Sequence, residues 1–125
     1  MAAPRPVLVF DGDCAFCTSS ARVVAERLRR SPADFAVEPW QHLDLAALGL
    51  TEARCVEAVQ WVGASGETAG GEAAIGRALL ASRPWVRPVG ALLLLPGVRA
   101  VAGAVYRWVA RNRHRLPGGT PACSA

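Results

Sequence analysis

Residues 9–17 read VFDGDCAFC, and the reading of this stretch decides the fold. The apolar run Pro6–Phe10 closes on Asp-Gly and predicts a short buried strand. From Cys14 to Arg30 the spacing becomes helical: Phe16, Ala21, Val24 and Leu28 share a face, while Arg22, Glu26, Arg29 and Arg30 fall elsewhere. Ser31-Pro32 stops that helix. Cys14 and Cys17 therefore sit where a strand hands over to a helix.

Outward from this point the chain continues in the same style. Phe35–Trp40 predicts a second strand, and Asp44–Leu48 a short helical segment ended by Gly49. Thr51 predicts the N-cap of another short helix. Val56–Val62 alternates as a third strand, Ser65-Gly66 is a hairpin turn, and Glu67–Gly70 is the fourth strand. Helical segments follow at Ala73–Ala81, Trp85–Leu95 and Val98–Arg113, punctuated by Pro84 and Pro96-Gly97. The first β-α-β unit requires a right-handed crossover and parallel strands, and the hairpin adds an antiparallel edge. The expected architecture is α/β and thioredoxin-like: a mixed four-stranded sheet with C-terminal helices. Residues 1–116 are expected to form the single domain and 117–125, rich in Pro and Gly, a loose tail.

The chain has 125 residues, 52% of them apolar, which suits one domain with a real core. The N-terminal apolar run is too short for a signal peptide, and Pro88–Val98, between Arg87 and Arg99, is too short for a transmembrane span. The expected location is cytoplasmic, where a close cysteine pair points to redox or metal chemistry rather than a structural disulfide. Charge is divided unevenly. Residues 1–72 hold all ten carboxylates and six arginines; residues 73–125 hold eight arginines and no carboxylate. Either the two halves face each other, or the basic half meets an acidic partner or an anionic surface. No aromatic stripe accompanies the charge, so nucleic acid is not expected.

Three chemistries compete for the opening motif. In the redox reading, the unpartnered N–H groups and the dipole at a helix N-terminus stabilise a thiolate on Cys14 and lower its pKa. Cys14 would be the exposed attacking thiolate; Cys17, one turn in and more buried, would resolve the mixed disulfide. Asp11 is the candidate for proton handling, Asp13 for the helix N-cap, and Gly12 for a turn geometry that other residues resist. In the metal reading the pair is half of a zinc or iron–sulfur site, completed from Cys55, Cys123, His42 or His114. In the phosphoryl-transfer reading Asp-Gly-Asp is a nucleophile strand, but residues 73–125 offer no carboxylate to hold Mg²⁺.

At Asp11-x-x-Cys14-x-x-Cys17 the sequence resembles the DCC family of thiol–disulfide oxidoreductases, named for that Asp-Cys-Cys pattern. The likeness extends through Gly49-Leu50-Thr51-Glu52, the Gly71 region and the closing segment Tyr106-Arg107-x-Val109-Ala110-Arg111-Asn112-Arg113-x-Arg115-Leu116. The resemblance implies a thioredoxin-like fold and dithiol–disulfide exchange by Cys14 and Cys17. It implies a disulfide-bearing protein or small molecule as substrate, a dithiol as electron donor, and no bound organic cofactor. Thioredoxins place a cis-proline before the third strand, facing the dithiol. No proline occurs here between Pro39 and Pro84, so substrate docking is expected to differ. The different-class alternative is a non-catalytic module that holds a metal with the same cysteines and docks a partner with its basic half.

Of the remaining residues, Cys55 reads as core and Cys123 as a tail thiol or third redox cysteine. His42 and His114 read as surface or hydrogen-bonded residues. Trp40, Trp61, Trp85 and Trp108 read as core or interface fillers. Asn112-Arg113 reads as a tether from the last helix to the sheet.

Overall fold

The computed structural model describes residues 5–112. In chain order the elements are β1 (Val7–Phe10), α1 (Ala15–Val23) running into a π-helical turn (Val24–Leu28), β2 (Ala36–Pro39), a 3₁₀ turn (Trp40–His42), α2 (Leu45–Leu48) and α3 (Glu52–Glu57). They continue with β3 (Gln60–Val62), β4 (Thr68–Gly70), α4 (Glu72–Leu80), α5 (Arg87–Leu93) and α6 (Pro96–Asn112). The strand order is β2-β1-β3-β4. β1 and β2 are parallel, Val7 opposite Ala36 and Phe10 opposite Pro39; β1–β3 and β3–β4 are antiparallel. This is the mixed four-stranded, thioredoxin-like α/β plan expected from the β-α-β unit and the hairpin.

Successive side chains on β1 point to opposite faces, and each face has its own core. Leu8 lies opposite Trp61, and both pack with Phe35 and with Ala74 and Ala78 of α4. Val9 and Val62 take the other face with Leu50 and Cys55, against Leu45 and Leu48 of α2. Both faces of the sheet are therefore covered by helices. Gly76 and Gly90 let α4 and α5 touch backbone to backbone: a Cβ on Gly90 would lie 2.8 Å from the Gly76 carbonyl oxygen.

Two elements differ from expectation. The third strand is only Gln60–Val62, because α3 continues to Glu57. Thr51 caps α3, its Oγ1 accepting from the Arg54 N–H at 3.2 Å, and the helical bonds claim Val56 and Glu57 before the sheet can. All three residues of β3 are buried, so alternation could not mark its true extent. The first helix unwinds to a π turn after Val23 instead of running regularly to Arg30. The expected domain boundary at 116/117 lies outside the described residues.

The pair α5–α6 is more exposed than its composition implied. Trp85 is 67% exposed and Trp108 53%, so neither fills the core; Trp61 does, and Trp40 is half-buried. Among the described residues no single helix is long and apolar enough to cross a membrane. α5 and α6 together would reach that length and composition, but they meet at 91°.

Candidate active site

The parallel pairing of β1 with β2 brings the end of each strand to one edge, and the site is built there. Asp11, 4% exposed, follows β1; Trp40 and Gln41 follow β2. Asp11 Oδ1 accepts from the Asp13 N–H at 3.0 Å, from Gln41 Nε2 at 3.0 Å and from Trp40 Nε1 at 3.3 Å. Gln41 also takes the Gly12 N–H on its Oε1, at 3.0 Å. Its amide thus bridges both halves of the turn. Gly12 is not in the left-handed region, so turn freedom is not its use. Its use is close approach: a Cβ there would stand 2.8 Å from Pro39 Cβ. Sequence reading missed Trp40 and Gln41 because their relevance depends on strand register rather than on any local motif.

Asp13 is exposed and does not cap the helix; that role falls to Cys14. The Cys14 N–H bonds the Asp11 carbonyl at 3.2 Å, its backbone is extended, and its Sγ accepts from the Cys17 N–H at 3.4 Å. Thr18 Oγ1 then donates to the Cys14 carbonyl at 3.0 Å. Sulfur therefore takes the position an oxygen cap usually fills, facing the positive end of α1. The expected exposures are reversed. Cys14 is fully buried, whereas Cys17, one turn later, is half-buried. The cap position explains the reversal, because it turns Sγ back over the first helical turn.

Cys55 lies in α3 on the sheet's other face and is buried, as expected. Burial pushes its thiol pKa up, partly offset by Arg54. A neutral thiol held this way supports folding at pH values below about 8.5 and loses that support as pH rises through its elevated folded value. Alkylation at pH 8 is therefore expected to label Cys55 only after denaturant is added, as peptide mapping would show. Rapid labelling of Cys55 in the folded chain would contradict its placement in the core.

The segment before β3, where thioredoxins carry their cis-proline, is occupied differently. Among the described residues no peptide bond is cis. The Val59 N–H donates to Tyr106 Oη of α6 at 2.9 Å, and the Val59 carbonyl accepts from the Gly71 N–H at 2.9 Å. Beside it, a cavity of about 610 Å³ separates α1 from α6, with Asp11, Cys17 and Val59 on its wall.

A chain with this sheet order and a Cys-x-x-Cys pair capping the first helix is matched over residues 8–119 by the family model described as DCC1-like thiol-disulfide oxidoreductase. The chain belongs to that family. No curated protein and no solved structure matches it. The DCC1-like match covers both the strand–turn–helix that carries the cysteines and the closing helix that carries Tyr106. Among the described residues no three of His, Cys, Asp and Glu come together as a metal site, and His42 is exposed. His114, Arg113, Arg115 and Cys123 lie outside the described residues. Asn112 Nδ2 donates to the Trp108 carbonyl within α6 and does not tether that helix to the sheet. The arginines of the second half are in part absorbed locally: Arg99 pairs with Glu72 at 3.6 Å, while Arg83 and Arg87 donate to carbonyls.

Proposed function

We propose that the chain catalyses dithiol–disulfide exchange through Cys14 and Cys17. The observation that carries this reading is the placement of Cys14 at the N-cap of α1, its Sγ accepting from the N–H of Cys17 one turn later. That placement sets the two cysteines side by side at the positive end of a helix, where a thiolate is stabilised. In the full cycle the Cys14 thiolate attacks one sulfur of a substrate disulfide. The substrate S–S bond breaks, and one half leaves as a thiolate that takes up a proton. The Cys17 thiolate then attacks Cys14 Sγ, releases the second half as a thiol and forms the Cys14–Cys17 disulfide. Two electrons pass from the protein to the substrate, and a dithiol donor returns them. No organic cofactor enters this cycle. We place the reaction in the reducing cytoplasm, with the arginines of the second half available to an acidic partner or an anionic surface.

Asp11 has two roles in this proposal: it clamps the turn through Oδ1, and its carboxylate moves protons for Cys14 and Cys17. Asp11→Asn separates them, because the amide keeps an oxygen for the three donors. We expect D11N to retain the wild-type unfolding midpoint while the pH profile of exchange changes. An unchanged profile would leave Asp11 a positioning residue alone.

The test of the function is turnover of a protein or small-molecule disulfide by purified protein with dithiothreitol as donor, with metal content measured alongside. Catalytic turnover is expected. One equivalent of bound zinc or iron with no turnover would instead favour a metal-holding module.

A further inference from the structure

We propose that the cavity between α1 and α6 receives the body of a small, uncharged, apolar organic disulfide, making such compounds the preferred substrates; this rests on the exchange reading above. The cavity's size is the first argument. About 610 Å³ falls within the roughly 300–1,000 Å³ typical of small-molecule sites. Its position is the second. Cys17 and Asp11 stand on its wall, so a group carried on a mixed disulfide with Cys14 has room beside the thiol that must next attack.

The chemistry of the wall is the third argument. Phe16, Val24, Ile75, Leu79, Val105 and Val109 supply an apolar lining. Among the described lining residues the only charged ones are two carboxylates, Asp11 and Glu72, and Glu72 is already paired with Arg99. The full chain carries 14 arginines, yet none of the described lining residues is one. An acidic disulfide such as that of glutathione would lose hydration on entry with no cation among the described lining residues to replace it. Protein substrates fit the surroundings less well. An extended peptide would need the backbone groups beside the site, but Tyr106 and Gly71 already hold the N–H and carbonyl of Val59. A small molecule needs neither.

The balance is that of ordinary exchange. The substrate R–S–S–R gains two electrons and two protons and leaves as two R–SH, while Cys14 and Cys17 become a disulfide that dithiothreitol reduces.

The test compares diphenyl disulfide with its 4,4′-dicarboxylate, each kcat/KM divided by the compound's rate with dithiothreitol alone to remove intrinsic reactivity. We expect the neutral compound to be favoured by at least about tenfold, reflecting the unpaired carboxylates of its competitor. Ala110→Phe, which puts a ring into the α6 wall, is expected to lower that preference. A second measurement needs no turnover: the neutral probe N-phenyl-1-naphthylamine should bind, and diphenyl disulfide should displace it. Equal rates for the two compounds, or a folded A110F with its preference intact, would overturn the inference and leave exchange standing. Absence of probe binding would overturn it even if A110F fails to fold. Probe displacement without turnover of any disulfide would strike the exchange reading instead.

Discussion

Cys14→Ser is expected to abolish turnover, by at least about 100-fold, because a hydroxyl is a far weaker nucleophile than a thiolate at neutral pH. The fold should survive. Serine is a favoured N-cap, and its oxygen can accept the Cys17 N–H that Cys14 Sγ now accepts. The loss therefore reports chemistry rather than unfolding, which matched far-UV spectra and melting curves would confirm. Cys17→Ser should fail differently. It attacks substrate once and then stalls, and intact mass spectrometry should find one substrate half bound to Cys14. The two variants order the steps. Turnover in C14S would make Cys17 the nucleophile, a live alternative in physical terms because Cys17 is the more exposed of the two.

Phe35→Ala is expected to cost about 3–5 kcal/mol, the range for deleting a buried aromatic ring. Phe35 has no exposed surface. Its ring meets Trp61 edge to face, with centroids 5.3 Å apart and planes at 67°, and the Arg29 guanidinium lies 5.9 Å from its centroid. The same guanidinium donates to the Phe35 carbonyl at 2.8 Å. The ring thus joins the lead-in to β2, the central strand β3 and the chain after α1. A loss of that size is a large share of the roughly 5–15 kcal/mol that stabilises a typical domain. In urea the midpoint should fall steeply with little change in slope, while Phe35→Leu should cost under about 1.5 kcal/mol if the core repacks around it. A midpoint unchanged in F35A would mean that the ring is not in the core.

The local signals were enough for the main architecture. A β-branched run ended by Asp-Gly, a helical run ended by Ser-Pro and a hairpin turn at Ser65-Gly66 lead to β1, α1, the parallel β2 and the β3–β4 hairpin. The cysteine pair was legible for the same reason, since its spacing and its place at a strand–helix junction are both local. What escaped depends on contacts between distant residues. Gln41 reaches Asp11 across 30 positions, and no feature near Gln41 announces it. The need for Gly12 comes from Pro39 on the neighbouring strand. Capping misled for a subtler reason: aspartate is the better generic cap, yet the turn that begins at Asp11 delivers Cys14, one residue later, to the cap position.

The hydrogen bond from the Val59 N–H to Tyr106 Oη joins residues 47 positions apart, and Tyr106 belongs to the last helix described. It has a consequence for the order in which the protein is made. Synthesis runs from the N-terminus, so Cys14 and Cys17 leave the ribosome before the helix that closes their surroundings. Until that helix follows, both sulfurs are open to any oxidant or misplaced thiol in reach. The pair gains its cover only when α6 docks, so its exposure to such reagents differs between the nascent and the folded chain.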